Sequence, residues 1–411
     1  MPPSKQRHKR KEKVQSQNVA IGKTGKSGIS KSIASSDASS IISLPIPLQQ
    51  LVLNIFKASL LFPVQAADQG SQTSLTEKVQ TIKAHLYRRD FAKAFSEADE
   101  DALRAYALRW SAGRALAYAT IFWGMKDVLF GKTRTDVLCI GGGAGAEILA
   151  LGAVWRELCA EKGLLDRFSE LSVHSGGAEE KRGDGTTPQD TPELCVTAVD
   201  IADWSSVVDR LVAGMTSLSV PSKNTCQPPL LPVVNGNHPK KHFTVQFHKR
   251  DVLELSDSHI RTLAYPASSC DEMSDRTALV TLMFTLNELF STSMSKTVSF
   301  LLRLTDILEP GATLLIVDSP GSYSTLSIGS TSKASQAAPH TSKMEEKPQR
   351  EYPMRFLLEH TLLSVAAEKW TCVLSDDSRW FRREKDALTY NVGDGIGLED
   401  MRYQIHIYPR L

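Results

Sequence analysis

Four glycines separate a short apolar run from a helix-like segment in Asp136-Val-Leu-Cys-Ile-Gly-Gly-Gly-Ala-Gly-Ala-Glu147. Val137 to Ile140 favours a strand, Gly141, Gly142, Gly143 and Gly145 follow at once, and Glu147 to Trp155 has the composition of a helix. A strand that turns through glycines into a helix presents bare backbone N–H groups to a ligand at the helix N-terminus. A Cβ there would block the approach or forbid a positive φ. Three acids recur where a nucleotide-like ligand would need them. Asp200 ends Cys195-Val-Thr-Ala-Val-Asp200, Asp251 follows Phe243 to Arg250, and Glu288 lies in Phe284-Thr-Leu-Asn-Glu-Leu289. In a doubly wound sheet ligands bind outside the carboxyl ends of the strands, and the acid closing the second strand can accept bonds from ribose hydroxyls. Each acid alone has an ordinary structural use, and Asp251 could cap a helix.

These residues require an alternating α/β frame. Strands are expected at 136–140, 195–199, 243–248, 278–284 and 312–317, with helices near 146–161, 203–213, 251–263 and 294–308. A helix at 353–368 follows, then strands at 371–374 and 403–408 with no helix between them. The pattern predicts a doubly wound, Rossmann-like, mainly parallel sheet of seven strands with an antiparallel end. This domain spans 132–411 and carries polar insertions at 171–192, 216–241 and 324–350, expected as loops. Before it, residues 44–131 form a helical region, with apolar periodicity over 48–62, 74–87, 91–95 and 99–130; Leu103, Tyr106, Ala107 and Trp110 share one face.

Residues 1–43 are rich in Ser, Lys and Gly and are expected as a disordered tail. Before residue 31, Lys5, Arg7, Lys9, Arg10, Lys11, Lys13, Lys23 and Lys26 stand against the single acid Glu12, which suits nuclear import, attraction to RNA or a solvated tail; a cytoplasmic location is the alternative. The whole chain carries only +2 over 411 residues, so charge alone selects no partner. The six cysteines form no Cys-x-x-Cys pair, and no metal site is expected. No apolar run reaches membrane-spanning length, and no signal-peptide segment opens the chain. Gly22-Lys-Thr-Gly-Lys-Ser27 suggests a phosphate loop, but Ala20 stands where its first glycine is needed and no strand precedes it.

Gly141-x-Gly143-x-x-Ala146 also satisfies the dinucleotide fingerprint, but that reading wants an acid about twenty residues on, closing a strand. Glu161 has the distance in a helical setting, whereas Asp200 has the strand setting after a long insertion. The antiparallel ending favours S-adenosylmethionine over NAD.

Ile140 to Glu147 looks like motif I of class I methyltransferases, Val199-Asp200-Ile201 resembles motif II, and Arg250-Asp251-Val252 resembles motif III. Phe284 to Leu289 and Val317-Asp-Ser-Pro-Gly-Ser322 look like the ends of strands four and five. With the segment Arg109 to Tyr118, the chain over residues 75–411 is similar to the fungal 25S ribosomal RNA (uracil-N3) methyltransferase family. The resemblance implies S-adenosylmethionine as cofactor, held by Gly141, Gly142, Gly143, Gly145, Glu147, Asp200, Ile201, Asp251, Val252 and Phe284. It implies large-subunit ribosomal RNA or a pre-ribosome as partner; oligomeric state is left open. Cys139 departs from the acid many class I enzymes carry there, so Glu147 or a backbone carbonyl could receive the cofactor's amine.

A uracil N3 must lose its proton before or during attack on a methyl sulfonium, and a carboxylate could assist. Glu288 and Asp318 are the candidate bases, with Asn287, Ser319 and Tyr323 orienting the base edge. Arg109, Arg114 and Tyr118 could contact RNA or cover the cofactor; the plainer alternative is a solvated arginine stripe. Trp204 could pack beside the adenine or simply in the core. No cysteine follows a proline, which disfavours cytosine C5 chemistry. A small-molecule methyltransferase, a non-catalytic binding protein of the same fold and, more distantly, an NAD-dependent oxidoreductase remain alternatives.

Overall fold

The computed structural model describes residues 44–61, 74–163, 192–221, 228–231, 242–267, 276–321, 325–327, 351–393 and 396–411. The tail 1–43, Tyr323 and most of the three insertions lie outside the described residues.

Runs of apolar, β-favouring residues build the sheet: β1 (Arg134–Ile140), β2 (Glu193–Asp200), β3 (Phe243–Lys249), β4 (Arg276–Met283) and β5 (Thr313–Asp318). β1 and β5 are almost wholly buried, as expected for parallel strands covered on both faces. After the short hairpin β6 (Thr325–Ser327) and β7 (Glu351–Pro353) come β8 (Leu374–Phe381) and β9 (Met401–Pro409). The main sheet has seven strands in the order β3-β2-β1-β4-β5-β9-β8. The first five pair parallel; β9 runs antiparallel to both β5 and β8. This is the class I methyltransferase arrangement, a doubly wound sheet closed by an antiparallel final strand.

The helices are α1 (Ile46–Leu60), α2 (Leu75–Tyr87), α3 (Glu100–Tyr106), α4 (Ala112–Gly124), α5 (Lys126–Leu129), α6 (Ala146–Glu161), α7 (Ser205–Met215), α8 (Asp257–Ala264), α9 (Leu286–Thr292), α10 (Met294–Ile307) and α11 (Met354–Glu359). Leu48, Leu51, Val52, Ile55, Phe56 and Leu60 of α1 are all buried. They belong to the same apolar core as α4, α6 and α7, so the N-terminal helices extend one face of the sheet. A second core on the other face gathers α8, α9, α10 and α11.

Several expectations change. The segment 99–130 is not one helix: Ala107–Ser111 is a π turn between α3 and α4. The expected helix 251–263 splits, because Asp251 caps a 3-10 turn (Val252–Glu254) and Ser256 caps α8 afresh. The helix 353–368 passes from α11 into a π turn at His360–Val365. β8 starts at Leu374, where the expected strand 371–374 ends. Helix α9 is an addition, where sequence gave only a strand end. The insertion 216–241 is not all solvated loop, since Val220, Leu230 and Leu231 are buried in the main core. The insertion 324–350 contributes strand β6.

Candidate cofactor and substrate site

Strand order reverses between β1 and β4, so the connections leaving them diverge and open a crevice at their carboxyl ends. A cavity of about 250 Å³ sits there. Its floor comes from the ends of β1, β2 and β4, and its wall from the N-terminal helical region.

Gly141 takes φ 74°, a left-handed conformation that turns the chain off β1, and its N–H donates to Val199 O at 2.8 Å. Gly143 allows a close approach instead: a Cβ there would stand 2.1 Å from the Trp204 ring. Its N–H donates to Asp200 Oδ2 at 3.3 Å, and Ala202 N–H donates to Oδ1 at 3.0 Å. The glycine turn and the acid closing β2 therefore meet directly. Trp204 is buried against Phe95 and Tyr106, at centroid distances of 6.3 and 5.7 Å. Gly142, Gly145, Ile201, Asp251 and Val252 also line the cavity. Asp251 Oδ1 accepts Leu253 N–H at 2.9 Å, so this carboxylate caps a turn while it lines the wall.

Glu147, at the start of α6, is only 2% exposed yet lines the cavity. The Thr281 hydroxyl donates to its Oε1. Burial pushes its pKa up to about 7, opposed by the Thr281 hydroxyl and the Cys139 thiol. Burial likewise pushes Asp200 up to about 6, opposed by the Ala202 and Gly143 N–H groups. Each carboxylate keeps acceptor capacity beyond the bonds it makes. The donor set suits an adenosyl sulfonium with a cationic amine: a bare turn, an acid at the end of β2 and a buried acid beneath the loop.

The opposite wall holds a cation. Arg114 Nη1 donates to the Tyr106 hydroxyl at 2.7 Å, and its guanidinium carbon is 4.4 Å from the Phe284 ring centre. Phe284 has φ 62°, which an L side chain rarely adopts; its N–H donates to Val317 O at 2.7 Å. Glu288 lines the cavity from the first turn of α9. Burial first, then the carboxylates of Asp318 and Asp200, push its pKa well up against the pull of Arg114.

Not every expected residue reaches the cavity. Asp318 is 2% exposed and stands outside the wall. It accepts Asn287 N–H at 3.0 Å, Asn287 Nδ2 at 2.9 Å and Ser319 N–H at 2.7 Å. Asp318, Asn287 and Ser319 thus tie β5 to α9, which corrects the expectation that Asp318 is a base. Arg109 turns away, pairing with Glu399 and donating to Gly397 O at 3.3 Å. Tyr323 lies outside the described residues.

Sequence reasoning missed Phe91, Phe95, Tyr106 and Thr285, all of which line the cavity. The helical wall residues Tyr106, Ser111, Arg114 and Tyr118 are spaced five, three and four apart. The step of five is the π turn at Ala107–Ser111, which adds one residue and rotates Trp110 out of this face. An α-helical period expects Trp110 beside Tyr106, so the wall was not legible from spacing.

Among the described residues, no group of three or more His, Cys, Asp or Glu could hold a metal ion, and no helix is long and apolar enough to cross a membrane.

The family model for SAM-dependent methyltransferases matches residues 62–409. The chain is 30% identical over 374 residues, 88% of its length and 85% of the relative, to the 25S rRNA (uridine(2843)-N(3))-methyltransferase of Saccharomyces cerevisiae. Among solved structures it is similar to an O-methyltransferase family protein from Burkholderia thailandensis, at 12% identity and TM-score 0.36, covering 87% of this chain and 82% of that one. It is also similar to the N-methyltransferase NodS from Bradyrhizobium japonicum, at 10% identity and TM-score 0.31, covering 81% and 98%.

Proposed function

The chain belongs to the family of SAM-dependent methyltransferases, and we propose that it methylates N3 of a uridine in large-subunit ribosomal RNA. The observation that carries this reading is that Arg114 and Glu288 line one cavity together with the acids of β2 and α6. The name of the yeast relative, which acts on 25S rRNA, supports the substrate.

S-adenosylmethionine, when bound, supplies a methyl group on a sulfonium already electrophilic enough for transfer. Gly141, Gly142, Gly145, Asp200 and Ile201 would hold its adenosyl portion, with Asp251 and Val252 beside the adenine. Glu147 would receive its amine in place of the acid missing at Cys139. The enzyme's remaining task is to make an imide nitrogen nucleophilic, because uracil N3 carries a proton and its lone pair is delocalised into two carbonyls. Glu288 takes that proton; its raised pKa makes it a stronger acceptor than an ordinary carboxylate. Arg114, which stays charged at any working pH, stabilises the negative charge spread over the uracil carbonyls. Phe284 and Tyr118 exclude water and offer surfaces for the base. The new N–C bond replaces the N–H bond, so the product base is neutral and leaves the Arg114 contact weakened. An exocyclic amine attacks as a neutral nucleophile and sheds its proton afterwards, so it builds no carbonyl-delocalised anion and gains less from a fixed cation.

The basic segment Lys5 to Lys26 serves nuclear delivery or a first contact with RNA. The decisive experiment incubates the purified chain and labelled S-adenosylmethionine with deproteinised large-subunit RNA, and separately with a metabolite extract. Nucleoside mass spectrometry should find 3-methyluridine in the RNA. Label confined to small molecules would replace this reading with a metabolite methyltransferase.

A further inference from the structure

A second hollow lies on the outer side of the helical region, between α2 and the π turn, with Glu399 at its rim. Lys83, Leu86, Tyr87, Arg109 and Trp110 line it. It is separate from the catalytic cavity but shares a wall with it. Tyr106 faces the cavity, Trp110 faces the hollow, and their ring centroids are 4.9 Å apart. The extra residue of the π turn is what sends these two rings to opposite sides. From Tyr87 the chain needs only the turn Arg88–Asp90 to reach Phe91, which is again in the cavity wall.

The chemistry of the hollow is specific. Tyr87 is 86% exposed, a large ring held at the end of α2 with almost nothing over it. Lys83 is exposed on the same helix face, one turn earlier, and forms no ion pair among the described residues. Arg88 follows, also exposed. Nearby, Lys78 is paired with Asp99 and Asp101, and Asp90 is engaged by Lys93 and His85, which leaves Lys83 and Arg88 as the cations of this face without an ion pair among the described residues. Glu399, the acid on the rim, is paired with Arg109. Aromatic faces beside unpaired cations, with the acids neutralised, match a ligand that carries flat rings and negative charge in alternation. Single-stranded nucleic acid is such a ligand.

We infer that this hollow is a subsite for a nucleotide of single-stranded RNA flanking the methylated base, its ring stacked in the Tyr87–Trp110 hollow and its phosphates met by Lys83 and Arg88. The subsite rests on the RNA reading of the catalytic cavity. It adds to that reading a reason for specificity, since a strand seated in both hollows fixes which base enters the cavity. Binding there is remote from the chemistry, so it acts on RNA affinity and leaves the bond-making step alone.

The test uses the full chain, naked large-subunit RNA fragments and the variants Tyr87→Ala, Tyr87→Phe and Lys83→Ala. Tyr87→Ala should raise KM and Kd for RNA about tenfold, as expected for loss of one stacked base. Tyr87→Phe should restore both values, because the ring and not the hydroxyl is used. Lys83→Ala should weaken binding and reduce the salt dependence by about 0.7 in the log–log slope, one phosphate contact on a single strand. In every variant kcat at saturating RNA and the calorimetric affinity for S-adenosylmethionine should stay within about twofold of the parent. Unchanged RNA affinity in the Tyr87→Ala, Lys83→Ala double variant would overturn the subsite while leaving the RNA reading intact. Loss of activity on ribosomal particles alone, with naked RNA unaffected, would also overturn it, because the contact would then be to protein. A parent chain that neither binds nor methylates RNA would remove the reading on which the subsite rests.

Discussion

The guanidinium of Arg114 lies 4.4 Å from the ring centre of Phe284, a residue held at φ 62° just beyond the end of β4. The two come from regions that sequence separates: a helix before the first strand and the loop after the fourth. A half-buried arginine packed against an aromatic face keeps its charge but loses part of its water, so its field acts on the cavity with reduced screening. Its one side-chain hydrogen bond to the Tyr106 hydroxyl leaves further N–H donors for a ligand.

Arg114→Met removes that charge while keeping most of the length of the side chain. The expected outcome is a fall in kcat of about 10²–10³, the usual cost of losing a preorganised donor at a developing anion. Affinity for S-adenosylmethionine should change less than twofold. A steady-state assay paired with calorimetry checks both, and equal losses in the two measurements would move Arg114 from substrate to cofactor.

Glu288→Gln should lower kcat by about 10²–10⁴ with RNA affinity retained. In the parent the rate should climb with pH above the ordinary carboxylate range, because burial and the nearby Asp318 and Asp200 keep Glu288 protonated longer. The variant should lose that limb of the profile. Full turnover in Glu288→Gln would eliminate it as the base.

Glu147 titrates near neutrality, with burial raising its pKa to about 7. Only its charged form attracts an ammonium group. Affinity for S-adenosylmethionine should therefore fall as pH drops below about 7, approaching tenfold per unit, and Glu147→Gln should bind weakly without that dependence. Stability without cofactor runs the opposite way. The folded carboxyl holds its proton up to about pH 7, whereas the ordinary value is 4.5. Between these values the folded state binds more protons, so stability declines as pH rises through the window. Scanning calorimetry should show S-adenosylmethionine raising Tm more at pH 8 than at pH 6.

Gly143→Ala places a methyl group 2.1 Å from the Trp204 ring, closer than any real contact. Either the turn or the indole must move, and Asp200 loses the Gly143 N–H in the first case. Cofactor affinity should drop by tenfold or more, with Tm lowered by several degrees. The double variant with Trp204→Leu should recover much of the Tm. If the single variant binds and melts like the parent, the close approach has no functional weight.

β1, β2, β4 and β5 were legible because each is a short apolar run, the composition that parallel strands covered on both faces need, whereas the edge strand β3 was legible from its alternation of apolar and polar residues. Asp200 could be placed because an acid closing a buried strand marks the strand's carboxyl end, and Asp251 because it follows the alternating run of β3. Helix α9 was not legible, because Phe284-Thr-Leu-Asn-Glu-Leu289 is too short to show a helical period. The break at Leu255–Ser256 was hidden too, since both sides of it are apolar and polar at spacings that fit one helix.

Sequence by itself determined the sheet, the glycine turn and the acids that flank it, because these follow from local backbone preference and from burial along single strands. Only the tertiary structure decided the use of each carboxylate and each arginine. Asp318 became a brace when Asn287 and Ser319 reached it, Glu288 was left facing the cavity, and Arg114 was turned inward while Arg109 was turned out to Glu399. Those outcomes depend on one additional residue in the π turn and on contacts between distant segments, neither of which a local pattern encodes.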